Sequence, residues 1–161
     1  MATATQVAVQ PAAYSGVWSW ITTVDHKRIG IMYLVTAGLF GLVGMAFSLV
    51  IRTELAETGT IIGADTYNQI FTMHGSIMIF LFLIPVAAGF MNYAVPLQIG
   101  ALDMAFPRLN ALSFWIFFFG GVLMATGFLF DGRSAAAGWT AYAPIASNSE
   151  PRIPGLQGNL D

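Results

Sequence analysis

The sequence predicts an all-α membrane protein with three transmembrane helices, and three observations carry that prediction. First, of 161 residues 57% are apolar and only 9% charged, whereas a soluble domain carries roughly 25% charged residues. Second, the charges leave three uncharged stretches, 29–51, 66–102 and 109–130. Each can hold the about 20 apolar residues that take a helix across a bilayer core of about 30 Å. Third, three strands could not close a barrel, so backbone groups in lipid must find their partners within helices. The spans are expected near 29–51, 70–95 and 109–130.

The same composition excludes function classes. A soluble enzyme needs more charge than this to cover its surface. Six Lys/Arg against eight Asp/Glu give a net charge of −2, with no basic patch for nucleic acid. The absence of cysteine excludes disulfides, thiolate metal sites and Cys nucleophiles, and leaves the redox compartment open.

Three regions follow in order. Residues 1–28 form an N-terminal segment with no basic stretch ahead of an apolar core, so it does not read as a cleaved signal peptide. Within it, Ser19-Trp20-Ile21 suits the headgroup level, where Trp is favoured. Residues 29–130 form the membrane region. The first span holds Gly30, Gly38, Gly41 and Gly44, small residues that let helices approach closely. The second carries Pro85, where a kink is expected, and Asn92-Tyr93-Ala94-Val95-Pro96 reads as its exit. A short connection over 97–107 leads to the third span. Gly and Pro dominate from Asp131 on (Gly132, Gly138, Pro144, Pro151, Pro154, Gly155, Gly158), so residues 131–161 are expected to be irregular and outside lipid. There is no internal repeat.

The positive-inside rule is balanced. Lys27, Arg28 and Arg108 fall on one side, Arg52, Arg133 and Arg152 on the other. Arg152 lies at the distance where the rule stops counting, and Arg52 has a candidate role of its own. Setting both aside puts the N-terminus inside.

His74 is the outlier, an ionisable group inside an uncharged stretch. Such groups usually face the bundle interior and mark function, and imidazole is a frequent haem-iron ligand. A hydrogen-bonded interfacial histidine is the competing reading. Arg52 closes the first span as either a snorkelling arginine or a fixed cation for a polar group of a cofactor. Antiparallel spans place Arg52 and His74 on one side of the membrane, so a joint site is open to them. His26, with Asp25, Lys27 and Arg28, reads as part of a solvated interfacial cluster. Asp103 lies between the second and third spans with Asn92 and Asn110 near the adjoining helix ends. It is either a loop or capping acid or a collector of protons for a polar path leading inward.

Several segments together resemble one family. They are Val24-Asp25-His26-Lys27-Arg28-Ile29-Gly30, Ile51-Arg52-Thr53-Glu54-Leu55, and Tyr67-Asn68 through Phe71-Thr72-Met73-His74-Gly75 to Met78-Ile79-Phe80. Pro96-Leu97-Gln98-Ile99-Gly100-Ala101, Asp103-Met104-Ala105-Phe106-Pro107-Arg108, Asn110, Ser113-Phe114-Trp115 and Gly138-Trp139-Thr140 continue the pattern. Residues 18–145 resemble the N-terminal part of subunit I of the haem-copper terminal oxidases, of the cytochrome c oxidase and quinol oxidase type. The resemblance implies a component of a respiratory oxidase that reduces dioxygen to water and pumps protons, built into a larger helical bundle.

Roles follow position by position from that resemblance. His74 matches an axial ligand of the low-spin haem iron, an a-type haem in the first instance. Arg52 matches the arginine that hydrogen-bonds a peripheral substituent of that haem and raises its potential. Tyr67 and Trp139 match residues near the haem propionates, and Met78 falls in the same cofactor-binding stretch. Asp103 resembles the acid at the mouth of the D-type proton channel, and Asn92 and Asn110 the asparagines within it. Glu54 and Gly59 resemble positions of a peripheral cation site. The N-terminus and the Asp103 loop are thereby placed on the proton-uptake side of a bacterial respiratory membrane. The 52–69 loop and the C-terminal tail are placed on the electron-donor side.

The chain departs from that family in extent. Subunit I has many more spans than three, and the second low-spin ligand, the high-spin haem ligand and the copper histidines lie on later helices. With only two histidines, this chain is expected not to reduce dioxygen alone. It is read as a fragment, a truncated product or one piece of a split subunit, completed by the remaining helices and other oxidase subunits, with cytochrome c or quinol as donor. An accessory, non-catalytic polypeptide associated with an oxidase is the alternative.

Overall fold

A computed structural model describes residues 16–56, 58–129 and 134–143. The expectations for 1–15, 130–133 and 144–161, most of the tail among them, lie outside those residues. The described residues form helices and no strand. They are α1 (Val17–Ile21), α2 (His26–Ala56), α3 (Ala64–Gln98) and α4 (Pro107–Thr126), the last closed by a 3-10 turn over Gly127–Leu129. Three helices, α2, α3 and α4 with its turn, are long and apolar enough to cross a membrane. The chain is thus an integral membrane protein of the expected class.

Every one of these helices outruns its predicted span at one end or both. Charges mark where the lipid stops tolerating a side chain, but helical hydrogen bonding continues into the headgroup region. Asp25 starts α2 by accepting the Lys27 N–H at 2.8 Å, while its own carbonyl receives the Ile29 N–H. Arg52 lies inside α2, not beyond it. The expected exit at Pro96 is corrected: α3 runs on to Gln98 with Pro96 inside it. Helix closure follows at Ala101, whose N–H reaches the Pro96 carbonyl at 2.9 Å.

At Pro85 the structure shows a widened turn within a continuous helix. Proline has no N–H, and its ring crowds the carbonyl four residues back, here that of Leu81. The preceding residues Ile77–Leu83 are π-helical, and Ile84 donates to Ile79 five residues back. Single wide turns of this kind relieve such crowding inside α-helices.

The three long helices pack side by side, α3 antiparallel to its neighbours. Gly30 and Gly89 face each other at the α2–α3 crossing; a Cβ on Gly30 would stand 2.8 Å from the Gly89 carbonyl oxygen. Further along, Gly41 receives the Phe82 ring and Gly44 the Met78 sulfur. One core cluster joins Ile29, Tyr33 and Phe114, and a second joins Met73, Ile77 and Leu81 with Phe40, Phe47 and Met124 around them. Tyr33 meets Phe114 edge-on at 5.2 Å and stacks on Phe117 at 5.3 Å. Large apolar side chains remain exposed along all three helices, among them Leu39, Leu42, Phe90, Ile116 and Leu123.

Candidate functional site

Two polar sites stand out, one at each end of the bundle. The first is centred on His74. Its Nδ1 lies 2.8 Å from the Gly44 carbonyl oxygen of α2. A carbonyl can only accept, so Nδ1 carries the proton and, in the neutral ring, Nε2 keeps its lone pair. A backbone partner on one nitrogen is the arrangement that orients a metal-ligating imidazole and selects its tautomer. Glycine leaves room for α3 here: a Cβ on Gly44 would lie 2.7 Å from the Met78 sulfur, which would have to move. Met78, one turn after His74, therefore lies against α2.

On the other side of the same turn, Trp139 covers Gly75, its Cδ1 3.2 Å from where a Cβ would be. Its ring centre is 6.4 Å from that of Phe80. Tyr67 is half-buried and stacks on Phe71 at 6.4 Å. Arg52 is exposed, eight residues beyond Gly44 on α2, roughly 12 Å along the axis at 1.5 Å per residue. Glu54 Oε2 accepts the N–H groups of Ile61 and Ile62, both at 3.0 Å, and so secures the turn into α3. Gly59 is exposed in that connection.

The second site lies where α2 begins, α3 ends and α4 begins. His26 is 1% exposed, which corrects the expectation of a solvated interfacial histidine. Its Nδ1 donates to the Asn92 carbonyl oxygen at 2.9 Å. Its burial follows from α2 starting at His26 itself, so that this first turn packs against the Gly89–Tyr93 stretch of α3. Asn92 Nδ2 donates to the Ala88 carbonyl at 2.9 Å, while its Oδ1 is buried without a partner among the described residues. Asn110 Nδ2 is buried and unpartnered in the same sense. One turn on, Ser113 donates to the Asn110 carbonyl at 2.7 Å and meets the Tyr33 hydroxyl at 3.0 Å. Asp103 is exposed in the α3–α4 connection and accepts the Met104 N–H at 2.7 Å.

The structure brings His74, Met78 and Trp139 to one region of α3 and ranges Asn92 and Asn110 beside His26, Tyr33 and Ser113. Sequence reasoning missed the roles of His26, Tyr33 and Ser113. A tyrosine inside an apolar span, three residues from Gly30, was the available signal for one of them.

The family described as cytochrome c and quinol oxidase polypeptide I matches residues 28–158, four-fifths of the chain and every residue of the two sites but His26. The chain belongs to this family. Among its curated relatives is the cytochrome c oxidase subunit 1 of Alkalihalophilus pseudofirmus, 48% identical over 142 residues. That match covers 88% of this chain and 23% of the relative. The subunit 1 of Corynebacterium glutamicum is 49% identical over 133 residues, 82% of this chain and 23% of its own length. A sequence named as cytochrome c oxidase subunit 1-beta in Streptomyces coelicolor is 51% identical over 142 residues, 88% and 24% of the two chains. This oxidase-family chain thus spans about a quarter of the length of the curated relatives it matches.

Cytochrome c and quinol oxidases of this family use haem and copper, and the residues present can be weighed against each. His74 fits a haem iron: it is a neutral-capable imidazole in an apolar span with Nδ1 engaged and Nε2 carrying the lone pair. Copper held by several histidines does not fit here, since no group of three His, Cys, Asp or Glu comes together among the described residues.

Proposed function

We propose that the chain works as part of a respiratory haem-copper oxidase reducing dioxygen to water. In this reading it supplies one axial ligand of the low-spin haem and the entrance of a D-type proton path. The observation that carries the reading is the bond from His74 Nδ1 to the Gly44 carbonyl, which leaves Nε2 as the ligating atom. An a-type haem held there supplies reversible one-electron transfer. The rest of the assembly, other oxidase subunits and the later helices of subunit I, provides the second ligand, the high-spin haem and copper. Cytochrome c, or quinol in the runner-up case, is the electron donor.

The chain's own residues then have definite tasks. Gly44 orients the His74 ring. Arg52 is a fixed cation at the end of α2, and positive charge beside a conjugated ring favours the state with one more electron. Tyr67, Met78 and Trp139 line the same cofactor site, Tyr67 and Trp139 toward its propionates. Glu54 and Gly59 belong to a peripheral cation site in the connection ahead of α3.

Asp103 collects protons at the aqueous edge. Asn92 and Asn110 each present a buried amide atom without a partner among the described residues, the condition in which a bound water is held. Tyr33 and Ser113 continue that polar line into the bundle. Residues 1–28 and the Asp103 connection then face the proton-uptake side of a bacterial respiratory membrane, and residues 52–69 and 131–161 the donor side.

The test is His74→Ala in the detergent-extracted particle that contains the chain. Loss of the low-spin haem band from the reduced-minus-oxidised spectrum is expected. An unchanged band overturns the assignment.

A further inference from the structure

Two buried polar side chains of α3 have no task in the sites described so far. Gln69 is 4% exposed and Thr72 3% exposed. They lie three residues apart, hence on one face of the helix. Buried polar groups are almost always paired, and here the partners lie far away in sequence. The Thr72 hydroxyl donates to the Asn68 carbonyl at 2.6 Å, and its oxygen accepts the Gly138 N–H at 2.9 Å. The Gln69 amide nitrogen donates to Asp65 Oδ2 at 2.8 Å, and its carbonyl oxygen accepts the Ser134 N–H at 3.3 Å. Two backbone amides of the 134–143 segment are thus hung from α3, the Ser134 bond buried and the Gly138 bond part-buried, where shielding from water strengthens such bonds.

The geometry has a consequence one residue further along. Gly138 has φ +73°, a conformation that glycine adopts without strain. The chain turns there, directly after the Thr72 contact, and lays Trp139 on Gly75, next to His74. Trp139 itself is 50% exposed; it packs on Gly75 and near Phe80, and the hydrogen bonds at its base tether the segment that carries it. We propose that Thr72, supported by Gln69, is a positioning residue that fixes Trp139 against the His74-bearing turn of α3. The proposal rests on the reading of His74 as a haem ligand.

Thr72→Val keeps the shape of the side chain and removes the acceptor, while Thr72→Ser restores it. The extracted particle is assayed for haem content, the position of the reduced low-spin band and amide exchange in 134–143. Expected for Thr72→Val are retained haem, a shifted band and faster exchange, with both returned to wild type in Thr72→Ser. An unshifted band with haem retained, or a shift that Thr72→Ser does not rescue, overturns the proposal. Should Thr72→Val fail to accumulate, Gln69→Met removes the Gln69–Ser134 bond and leaves the Thr72–Gly138 bond in place. Faster exchange with an unmoved band there overturns the proposal equally. The two failures are distinguishable. Haem kept in His74→Ala contradicts the ligand reading and the proposal with it; haem lost in His74→Ala beside an unmoved band in Thr72→Val contradicts the positioning role alone.

Discussion

His74 gives one ring nitrogen to Gly44 and keeps the other, and this division of labour sets what its neighbours can do. In the proposed reading Arg52 acts through charge. If its guanidinium bonds a group on the haem edge more strongly after reduction, a charge-assisted bond of about 1.5–3 kcal/mol corresponds to roughly 60–130 mV for one electron. Arg52→Met is therefore expected to lower the low-spin potential by up to that amount and to shift the visible band; redox titration checks it, and an unmoved potential sinks the role. Asp103→Asn removes an exposed, ionisable group whose contact in the fold is the Met104 amide. It is expected to slow proton uptake and steady-state turnover while leaving haem reduction by the donor unchanged, as stopped-flow measurements can separate. Equal proton pumping and turnover in the variant contradict the channel reading. At this scale the sequence told part of the story. His74 was legible because an ionisable residue inside an uncharged stretch is costly and so informative. His26 was not, because the group that buries it, the Asn92 carbonyl, is 66 residues away. Thr72 and Gln69 were hidden for the same reason, their partners being backbone amides of a distant segment.

Between elements, the decisive contact is the crossing of α2 and α3. Gly30 and Gly89 present backbone to backbone there, and a Cβ on either would come within 3 Å of the other's carbonyl oxygen. Overpacking a close contact of this kind costs about 1–3 kcal/mol. Gly30→Ala is expected to lower the thermal stability of the particle by an amount of that order. Gly38→Ala is the control on the same helix, since nothing lies within 4 Å of a Cβ there; it is expected to be neutral or to stabilise by up to about 1 kcal/mol through helix propensity. Equal losses in the two variants reject the crossing as the reason for glycine at 30. The existence of three spans was legible because a charge at mid-bilayer costs about 2.5–3.5 kcal/mol. Their ends were not, because helix hydrogen bonding outlasts the lipid boundary, as the runs to Ala56 and Gln98 show. Pro85 was legible as a disturbance; its form, a π-helical stretch over Ile77–Leu83, depends on which carbonyls the turn can re-pair.

For the whole molecule, three apolar helices carry large exposed side chains, and the chain spans about a quarter of the length of its relatives; the proposed function places it within a larger oxidase assembly. The family was legible in the ordered motifs around His74 and Asp103, because several residue types recur there at fixed spacing. What covers the exposed apolar faces was not legible, because apolar side chains suit lipid and helix partners alike. The central claim is that this chain holds a low-spin haem inside an oxidase assembly. Native mass spectrometry of the detergent-solubilised particle, paired with a reduced-minus-oxidised spectrum of the same sample, tests it most directly. The account predicts this chain together with polypeptide carrying further oxidase helices, haem in the mass, and a low-spin band. The chain alone, or an assembly without haem, would contradict it.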